Sequence, residues 1–333
     1  MTKQLDGVFE GGGVRGIGLV GALSVIEEAG YEFVNLAGSS AGAIVATLIA
    51  AGYGAADIRT IIDAIDFRKM TDDSGFGRVP FVGKWIELLV HDGMYRGDYL
   101  LNLMRDLLAQ KGKRKFGDLL IPEFASQPQY RFKVRVVASD ISRGRMAVLP
   151  QDIAIYGLDP DELEIALAVR MSMSIPFFFR PVKQSNPDGT KSFVVDGGVL
   201  SNFPVELFDS DGEPEWPTFG FRLVESLTPP IIEHQIRGPI SMLRALFETM
   251  TEAHDARYIE THNFVRTITI DTHGIPATKF TLMPEEKALL YESGQQGARD
   301  FLSHWDFSAY KLAFRSGAPA PSRRDMVRAT VSH

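Results

Sequence analysis

Residues 7–51 read GVFEGGGVRGIGLVGALSVIEEAGYEFVNLAGSSAGAIVATLIAA, in which two glycine-rich turns are set between apolar segments. Each turn follows a short β-prone segment, Gly7–Glu10 for the first and Glu32–Ala37 for the second. Apolar residues recur at helical spacing over Ile17–Ala29, and Ala43–Ala51 has the composition of a tightly packed helix. The resulting order, β–turn–α–β–turn–α, predicts parallel strands joined by right-handed crossovers.

The rest of the chain continues this alternation and predicts one α/β domain. No linker separates its segments, so we expect the domain to extend over residues 5–310. Residues 317–333 are rich in Ala, Pro, Ser and Arg and have the composition of a flexible tail. The predicted strands are Lys133–Ser139, Ser192–Val195 and Val265–Ile270, and the predicted helices are Asp159–Met171 and Pro284–His304.

The composition of the 333 residues is that of a soluble globular protein, with 45% hydrophobic and 23% charged residues. The 35 basic and 42 acidic residues give a net charge of −7, which does not support a general nucleic-acid-binding role. The absence of cysteine excludes disulfides, cysteine-ligated metal centres and a thiol nucleophile. The start, MTKQLDGVFE, lacks the apolar core of a signal peptide, and no run reaches the roughly 18 apolar residues of a transmembrane segment, so we expect a cytoplasmic protein.

The motif Gly38-x-Ser40-x-Gly42 lies between the second predicted strand and the helix after it. Such a turn presents a nucleophilic serine well, because small neighbours permit strained dihedral angles and leave the hydroxyl exposed. Amide N–H groups at the helix N-terminus also favour negative charge in front of the serine. The alternative is a tight turn without chemistry. The strand and the helix around the motif favour a nucleophilic Ser40.

The motif Gly11-x-Gly13-x-x-Gly16 follows the first predicted strand and has three interpretations. A dinucleotide-binding loop would hold pyrophosphate, with an acidic residue at the end of the next strand on the ribose. The candidate acid, Glu32, instead lies at the start of that strand. In an acyl-transfer enzyme, the backbone N–H groups of Gly12 and Gly13 would form an oxyanion hole. The third interpretation is close packing of a strand against a helix.

A third motif, Asp196-Gly197-Gly198, follows the predicted strand Ser192–Val195. By itself, Asp-Gly-Gly is typical of a plain turn. Asp196 and Ser40 both lie at the carboxyl ends of predicted strands, and the active sites of open α/β sheets collect at that edge. We therefore expect Asp196 to lie near Ser40.

In this order, the three motifs closely resemble those of the patatin-like phospholipases. The resemblance extends from about Val8 to Val205 and leaves residues 206–310 as a variable C-terminal part. It implies a three-layer α/β/α fold with a mainly parallel central sheet. Further segments similar to the family are Lys115–Leu119, Val136–Asp140, Ser172–Pro181 and Ser201–Pro204.

The resemblance implies a catalytic dyad, with Ser40 as the nucleophile and Asp196 as the base. The implied activity is hydrolysis of the carboxylic esters of lipids through an acyl-serine intermediate, of the phospholipase A, lysophospholipase or carboxylesterase type. No metal and no organic cofactor are implied. The backbone of the glycine loop would form the oxyanion hole: Gly11, Gly12, Gly13, Val14, Arg15 and Gly16.

Two other functions stay open from the residues alone. A Ser40–Asp196–His273 triad would have the chain order of the α/β-hydrolases, although only one strand–helix unit precedes Ser40 here. A nucleotide-binding oxidoreductase would use the loop Gly11–Gly16. Arg15 has two possible roles, attraction of a phosphate head group or a salt bridge that holds the loop.

The apolar residues predict where a lipid would contact the protein. We expect Ile175, Phe177, Phe178 and Phe179 to line an acyl pocket. Residues 74–96 are apolar enough to form either a lid and interfacial anchor or part of the core. The expected partners are a lipid or acyl-ester substrate and a membrane surface, with no nucleic acid. Head group, acyl chain length and oligomeric state stay open.

Overall fold

The computed structural model describes residues 3–65, 93–210, 212–225, 242, 261–277, 279 and 281–315. The α-helices of this part are α1 (Ile17–Glu28), α2 (Ser40–Ala51), α3 (Ala55–Ala64), α4 (Asp98–Gln110), α5 (Ile165–Ser172), α6 (Thr261–Val265), α7 (Pro284–His304) and α8 (Phe307–Phe314). The strands are β1 (Lys3–Phe9), β2 (Tyr31–Ser39), β3 (Gly93–Tyr95), β4 (Val134–Asp140), β5 (Arg145–Leu149), β6 (Phe177–Phe179), β7 (Val182–Ser185), β8 (Lys191–Asp196), β9 (Thr218–Val224) and β10 (Thr267–Asp271).

An eight-stranded mixed sheet forms the centre of the described part, in the order β10-β9-β1-β2-β4-β8-β7, with β5 also paired to β4. All neighbours from β10 to β4 are parallel, whereas β8 and β5 are antiparallel to β4. Parallel strands need crossover connections, and α1 and α2 supply them after β1 and β2. The predicted α/β class, with a mainly parallel sheet flanked by helices, is confirmed.

The two faces of the sheet bury different clusters of side chains. On β1, Phe9 belongs to the large core formed with the helices, while its neighbour Val8 belongs to a smaller cluster on the opposite face. This alternation follows from the two-residue period of a strand. Phe124, Phe208 and Trp216, which lie outside the strands, complete the smaller cluster with Val8. Both faces of the central strands are therefore shielded from water.

Strands β2 and β8 meet end to end along one edge of β4. Residues 134–137 of β4 pair with β2, and residues 138–140 pair with β8. Because β5 occupies the opposite edge along residues 136–140, β2 and β8 must share the remaining edge. Since β2 is parallel and β8 antiparallel to β4, their carboxyl ends face each other. The chain segments that follow these ends begin at Ser40 and Gly197.

This topology corrects one step of the sequence prediction. Asp196 and Ser40 were expected to meet because parallel strands end at the same edge, but β8 is antiparallel to β4. The two residues meet because β8 enters from the carboxyl edge and ends where β2 ends. Strand direction depends on pairing between distant segments, which residue pattern alone does not specify.

Several predicted elements have different bounds in the structure, and two of these differences have a cause in the contacts of the residues involved. The helix expected from Asp159 begins at Ile165, because the backbone of residues 161–164 bonds to the segment 115–117 instead. The strand expected from Val265 begins at Thr267, because residues 261–265 form α6. The helix Pro284–His304 is confirmed. The tail 317–333, predicted to be flexible, and most of the segment 74–96 lie outside the described residues.

Candidate active site

Ser40 lies at the junction of β2 and α2 in a strained backbone conformation. Its φ of +51° is in the left-handed region, which costs free energy for a residue with a side chain. Both flanking glycines are required by close contacts. A Cβ at Gly38 would lie 2.4 Å from the carbonyl oxygen of Gly42, and a Cβ at Gly42 would lie 2.2 Å from that of Phe9. The sequence around Ser40 therefore permits a turn too tight for larger residues.

Substitution of Gly42 by alanine should destabilise the protein by about 1–3 kcal/mol, because backbone atoms of β1 leave no room for a methyl group. Chemical denaturation would measure the change in the free energy of unfolding. Gly54→Ala is a matched control, since a Cβ there would lie 3.7 Å from the nearest atom, a carboxylate oxygen of Glu27. Equal destabilisation by both substitutions would contradict the proposed close contact at Gly42.

The hydroxyl of Ser40 is directly bonded to the carboxylate of Asp196. Ser40 Oγ donates to Asp196 Oδ2 at 2.7 Å, while Asp196 Oδ1 accepts from the backbone N–H of Gly198 at 2.8 Å. The backbone N–H of Asp196 donates to the carbonyl oxygen of Ser174 at 2.9 Å. Ser40 is 5% exposed and Asp196 1% exposed. One carboxylate oxygen is thus held by the backbone and the other points at a buried serine hydroxyl.

Burial raises the pKa of Asp196 to about 7, although the hydrogen bonds from Ser40 and Gly198 act in the opposite direction. Removal from water disfavours the charged carboxylate, whereas donors pointing at it favour that form. An ordinary aspartate is too weak a base to accept a serine proton efficiently at neutral pH. The raised pKa brings Asp196 into the range that suits a general base near pH 7.

Two further contacts hold Ser40, and the sequence analysis assigned no role to the residues that make them. Ser172 Oγ accepts from the backbone N–H of Ser40 at 2.8 Å and donates to the carbonyl oxygen of Val137 at 2.5 Å. Met173 Sδ lies 3.3 Å from Ser40 Oγ. Both residues belong to Ser172–Pro181, so the similarity of this segment to the family is the feature of the sequence that pointed to them. A contact across 132 residues of chain cannot be read from spacing.

The glycine loop packs directly on Ser40. A Cβ at Gly11 would lie 3.0 Å from Ser40 Cβ, and one at Gly13 would lie 2.2 Å from the carbonyl oxygen of Ala277. The N–H of Gly11 donates to Asn202, that of Val14 to Ala277 and that of Arg15 to Gly12. Among the residues that the structure describes, the N–H groups of Gly12 and Gly13 have no acceptor. These two amides are therefore free to bind an oxygen of a ligand.

A buried carboxylate and an amide connect the glycine loop to the rest of the site. Glu10, which directly follows β1, accepts from the backbone N–H of Leu223 and, at 3.3 Å, from Asn202 Nδ2. Asn202 Nδ2 also donates to the carbonyl oxygen of Gly11 at 3.2 Å. Glu10 and Asn202 are 3% and 4% exposed. In the sequence, the segment around Asn202 resembles the family, but no pattern indicates a role for Glu10 or Asn202.

Arg15 contacts the protein itself. Its Nε donates to the carbonyl oxygen of Gly12 at 3.4 Å, and its guanidinium lies 3.8 Å from a carboxylate oxygen of Glu225. The contact with Glu225 fits the salt-bridge alternative for Arg15, and the bond to Gly12 lies within the loop itself. The side chain is mostly buried, whereas that of Glu225 is about one third exposed.

The structure does not bring His273 to Ser40. His273 follows β10, and strands β9 and β1 lie between β10 and β2. Its Nδ1 lies 3.8 Å from Asp271 Oδ2 on the same strand end. The triad therefore has no geometric support. The nucleotide-binding alternative is weakened as well, because Ser40 and Asn202 pack directly against Gly11, and Ala277 packs directly against Gly13.

The apolar segment Ile175–Phe179 follows closely after Met173, whose sulfur contacts Ser40. Phe177 is 39% exposed with a φ of +66°, and Phe179 is buried. Phe178 packs against Tyr95 and Phe179, with ring centroids 4.8 and 5.0 Å apart. Ile175 is partly buried against the core, and its carbonyl oxygen accepts from the N–H groups of Phe178 and Phe179. The four residues predicted for an acyl pocket thus lie together, next to the residue that contacts Ser40.

Within the described residues, no group of three or more acidic or histidine side chains is arranged to hold a metal ion. In the same part of the chain, every helix is too short or too polar to span a lipid bilayer.

Residues 7–209 match the family model of the patatin-like phospholipases. The chain is 42% identical over 306 residues to the uncharacterized protein YqhO of Bacillus subtilis, and the match covers 91% of this chain and 99% of YqhO. It is 26% identical over 211 residues to the probable lipid hydrolase 463L of invertebrate iridescent virus 6, which covers 60% of this chain and 61% of that protein.

The solved structure of VipD from Legionella pneumophila is similar, with a TM-score of 0.55 and 19% identity over 91% of this chain and 67% of VipD. A chain of the ExoU–SpcU complex from Pseudomonas aeruginosa has a TM-score of 0.50 and 20% identity, covering 91% of this chain and 52% of that chain. At such identities the likeness shows a shared fold. The family model, which spans more than half of the sequence, and the identity to YqhO show more: the chain belongs to the patatin-like phospholipase family.

Proposed function

We propose that the protein hydrolyses carboxylic esters of lipids through an acyl-Ser40 intermediate, with Asp196 as the general base. The observation that supports this function best is the 2.7 Å hydrogen bond from Ser40 Oγ to Asp196 Oδ2. A strained serine at a strand-to-helix turn and a buried carboxylate of raised pKa have no evident structural purpose. Together they provide an activated nucleophile and its base.

The first half of the reaction forms the acyl-enzyme. Asp196 accepts the Ser40 proton as Oγ attacks the ester carbonyl carbon, and the carbonyl oxygen takes the negative charge of the tetrahedral intermediate. The unbonded N–H groups of Gly12 and Gly13, together with the N-terminus of α2, are suited to stabilise that oxygen. When the intermediate collapses, the C–O bond to the alcohol breaks and the alcohol leaves with the proton from Asp196.

The second half releases the fatty acid. Asp196, again ionised, accepts a proton from a water molecule that attacks the acyl carbon, and the second tetrahedral intermediate returns the proton to Ser40 Oγ. The products are a free carboxylic acid and the alcohol part of the substrate. Glu10 and Asn202 hold the loop that carries the proposed oxyanion hole, so the loop is fixed before substrate binds.

Two observations support a lipid as the substrate class. In the segment that follows Met173, Phe177 is 39% exposed and Ile175 and Phe178 are only partly buried, which offers apolar surface for an acyl chain. The relative from invertebrate iridescent virus 6 is named as a probable lipid hydrolase. We propose phospholipase A, lysophospholipase or carboxylesterase activity, carried out by one domain over residues 5–310 in the cytoplasm or at a membrane surface.

Fatty acid release from a lysophospholipid, a phospholipid and a short-chain nitrophenyl ester would test this function. We expect the wild type to hydrolyse at least one of them, and a brief reaction quenched in acid to leave the peptide with Ser40 heavier by one acyl group. His273→Ala should retain more than about half of the wild-type rate, because His273 lies at a distant strand end.

Two results would contradict the proposal. Absence of hydrolysis of all three esters by folded wild-type protein would remove the esterase function. A folded His273→Ala variant without activity would replace the dyad by a triad.

A further inference from the structure

We infer that Met173 is a site of oxidative modification. A hydroperoxide converts its thioether to a sulfoxide, and the Ser40 hydroxyl then loses its reactivity as a nucleophile. The inference rests on the proposed function, because it treats the Ser40 hydroxyl as the nucleophile. It adds a chemically reversible off state to that site.

The position of the sulfur carries the inference. Met173 Sδ lies 3.3 Å from Ser40 Oγ, and the same hydroxyl lies 2.7 Å from Asp196 Oδ2. A serine hydroxyl has one proton, and a thioether is a weak acceptor compared with a carboxylate. In the reduced protein the Ser40 proton is therefore directed to Asp196, and the sulfur only packs against the hydroxyl as an apolar neighbour.

The backbone holds the sulfur in this place. Met173 follows α5 directly, and its N–H donates to Val169 while its carbonyl oxygen accepts from Ile175. The neighbours are also fixed, since Ser172 bonds the backbone of Ser40 and Ser174 accepts from that of Asp196. The side chain is 5% exposed, so it has little room to turn away from Ser40.

Access follows from the reaction itself. An ester carbonyl carbon must come within bonding distance of Ser40 Oγ, and the sulfur lies 3.3 Å from that oxygen. Any path that admits an ester group therefore brings a small hydroperoxide to the sulfur. Met171, two residues earlier on α5, is fully buried and has no such path.

The oxidation transfers one oxygen atom to the sulfur, which gives up two electrons to the hydroperoxide. The terminal oxygen of a hydroperoxide bonds to Sδ as the O–O bond breaks, which yields the sulfoxide and water, or an alcohol from an organic hydroperoxide. The sulfoxide oxygen is a strong acceptor next to Ser40 Oγ. It takes the hydroxyl proton away from Asp196 and occupies space in front of the nucleophile. Methionine sulfoxide reductases reverse this change.

The experiment follows oxidation and activity together in the full-length protein treated with hydrogen peroxide. Peptide mass spectrometry measures the fraction of each methionine that carries one extra oxygen. The rate of ester hydrolysis and the rate of Ser40 labelling by a fluorophosphonate measure the reactivity of the Ser40 hydroxyl. We expect both readouts to fall in proportion to the Met173 sulfoxide, by about 10²-fold or more at full conversion, because the base no longer reaches the hydroxyl. Reductase treatment should restore both.

Two variants serve as matched controls. Met283 is 56% exposed and lies before α7, so it should oxidise first, without loss of activity, and Met283→Leu should respond to peroxide as the wild type does. Met173→Leu, compared with its own untreated activity, should resist peroxide.

Several outcomes would overturn the inference. It fails if activity falls while Met173 stays reduced, if Met173 oxidises without loss of Ser40 labelling, or if Met173→Leu is inactivated like the wild type. If the wild type hydrolyses no ester, the proposed function fails separately, and Ser40 labelling still decides whether the sulfoxide silences the serine.

Discussion

Replacing Ser40 by alanine should lower the rate of ester hydrolysis by about 10⁴-fold or more, because it removes the proposed nucleophile, the hydroxyl that donates to Asp196 Oδ2 at 2.7 Å. The fold should persist. Alanine has the smaller side chain, and the turn around it is shaped by Gly38 and Gly42. Fatty acid release under initial-rate conditions measures the loss, and thermal unfolding verifies that the variant is folded.

The adjacent serine provides the control for this result. Ser39 is also buried, but its hydroxyl donates to the carbonyl oxygen of Ser201 at 2.8 Å and not to the carboxylate. Ser39→Ala removes one buried hydrogen bond and should reduce activity by less than about tenfold, the effect of roughly 1 kcal/mol. If Ser40→Ala retained a tenth or more of the wild-type rate, the nucleophile would have to be another group.

Replacing Asp196 by asparagine should reduce the rate by about 10²–10⁴-fold, the usual contribution of a general base. The pH dependence of the rate distinguishes loss of the general base from a structural distortion of the site. Because burial raises the pKa of Asp196 to about 7, wild-type activity should fall about tenfold per pH unit below pH 7 and be constant above it. The residual activity of Asp196→Asn should lack this acid limb. An identical pH profile for both proteins would assign the titration to a different group.

The same substitution should affect stability in the opposite direction to activity. The folded protein favours the neutral form of Asp196, so the stabilisation by the bound proton is complete below the ordinary pKa near 4 and is lost as pH rises through about 7. Asparagine imitates the neutral form at every pH. Asp196→Asn should therefore be more stable than the wild type above pH 7, by on the order of 4 kcal/mol, and similar to it near pH 4.

The parts of the site that were predictable from sequence are those that a short segment defines by itself. Gly38 and Gly42 predicted the tight turn because no larger residue fits between strand and helix, and the structure gives the atoms that a Cβ would meet. The loop Gly11–Gly16 was expected on the same grounds. The role of its amides as an oxyanion hole stays a prediction.

The parts that were not predictable depend on pairing between distant segments. Ser172, Met173 and Asn202 contact Ser40 or the glycine loop across more than 130 residues of chain. Their side chains have no unusual local pattern. The direction of β8 is a similar case, because the pattern of a buried strand is the same whether the strand runs parallel or antiparallel.

The end-to-end meeting of β2 and β8 makes hydrogen-bond register the determinant of catalytic geometry. Asp196 is held opposite Ala138, the residue after the one that faces Ser39. A slip of one residue between β8 and β4 would turn the carboxylate to the other face of the sheet, and a slip of two would move it by about 7 Å. Insertions in the exposed β7–β8 hairpin turn at 186–190 leave this register intact, whereas an insertion within β8 shifts it. The proposed dyad thus lies where two collinear strands meet, and the register of the β-sheet sets the distance between its two residues.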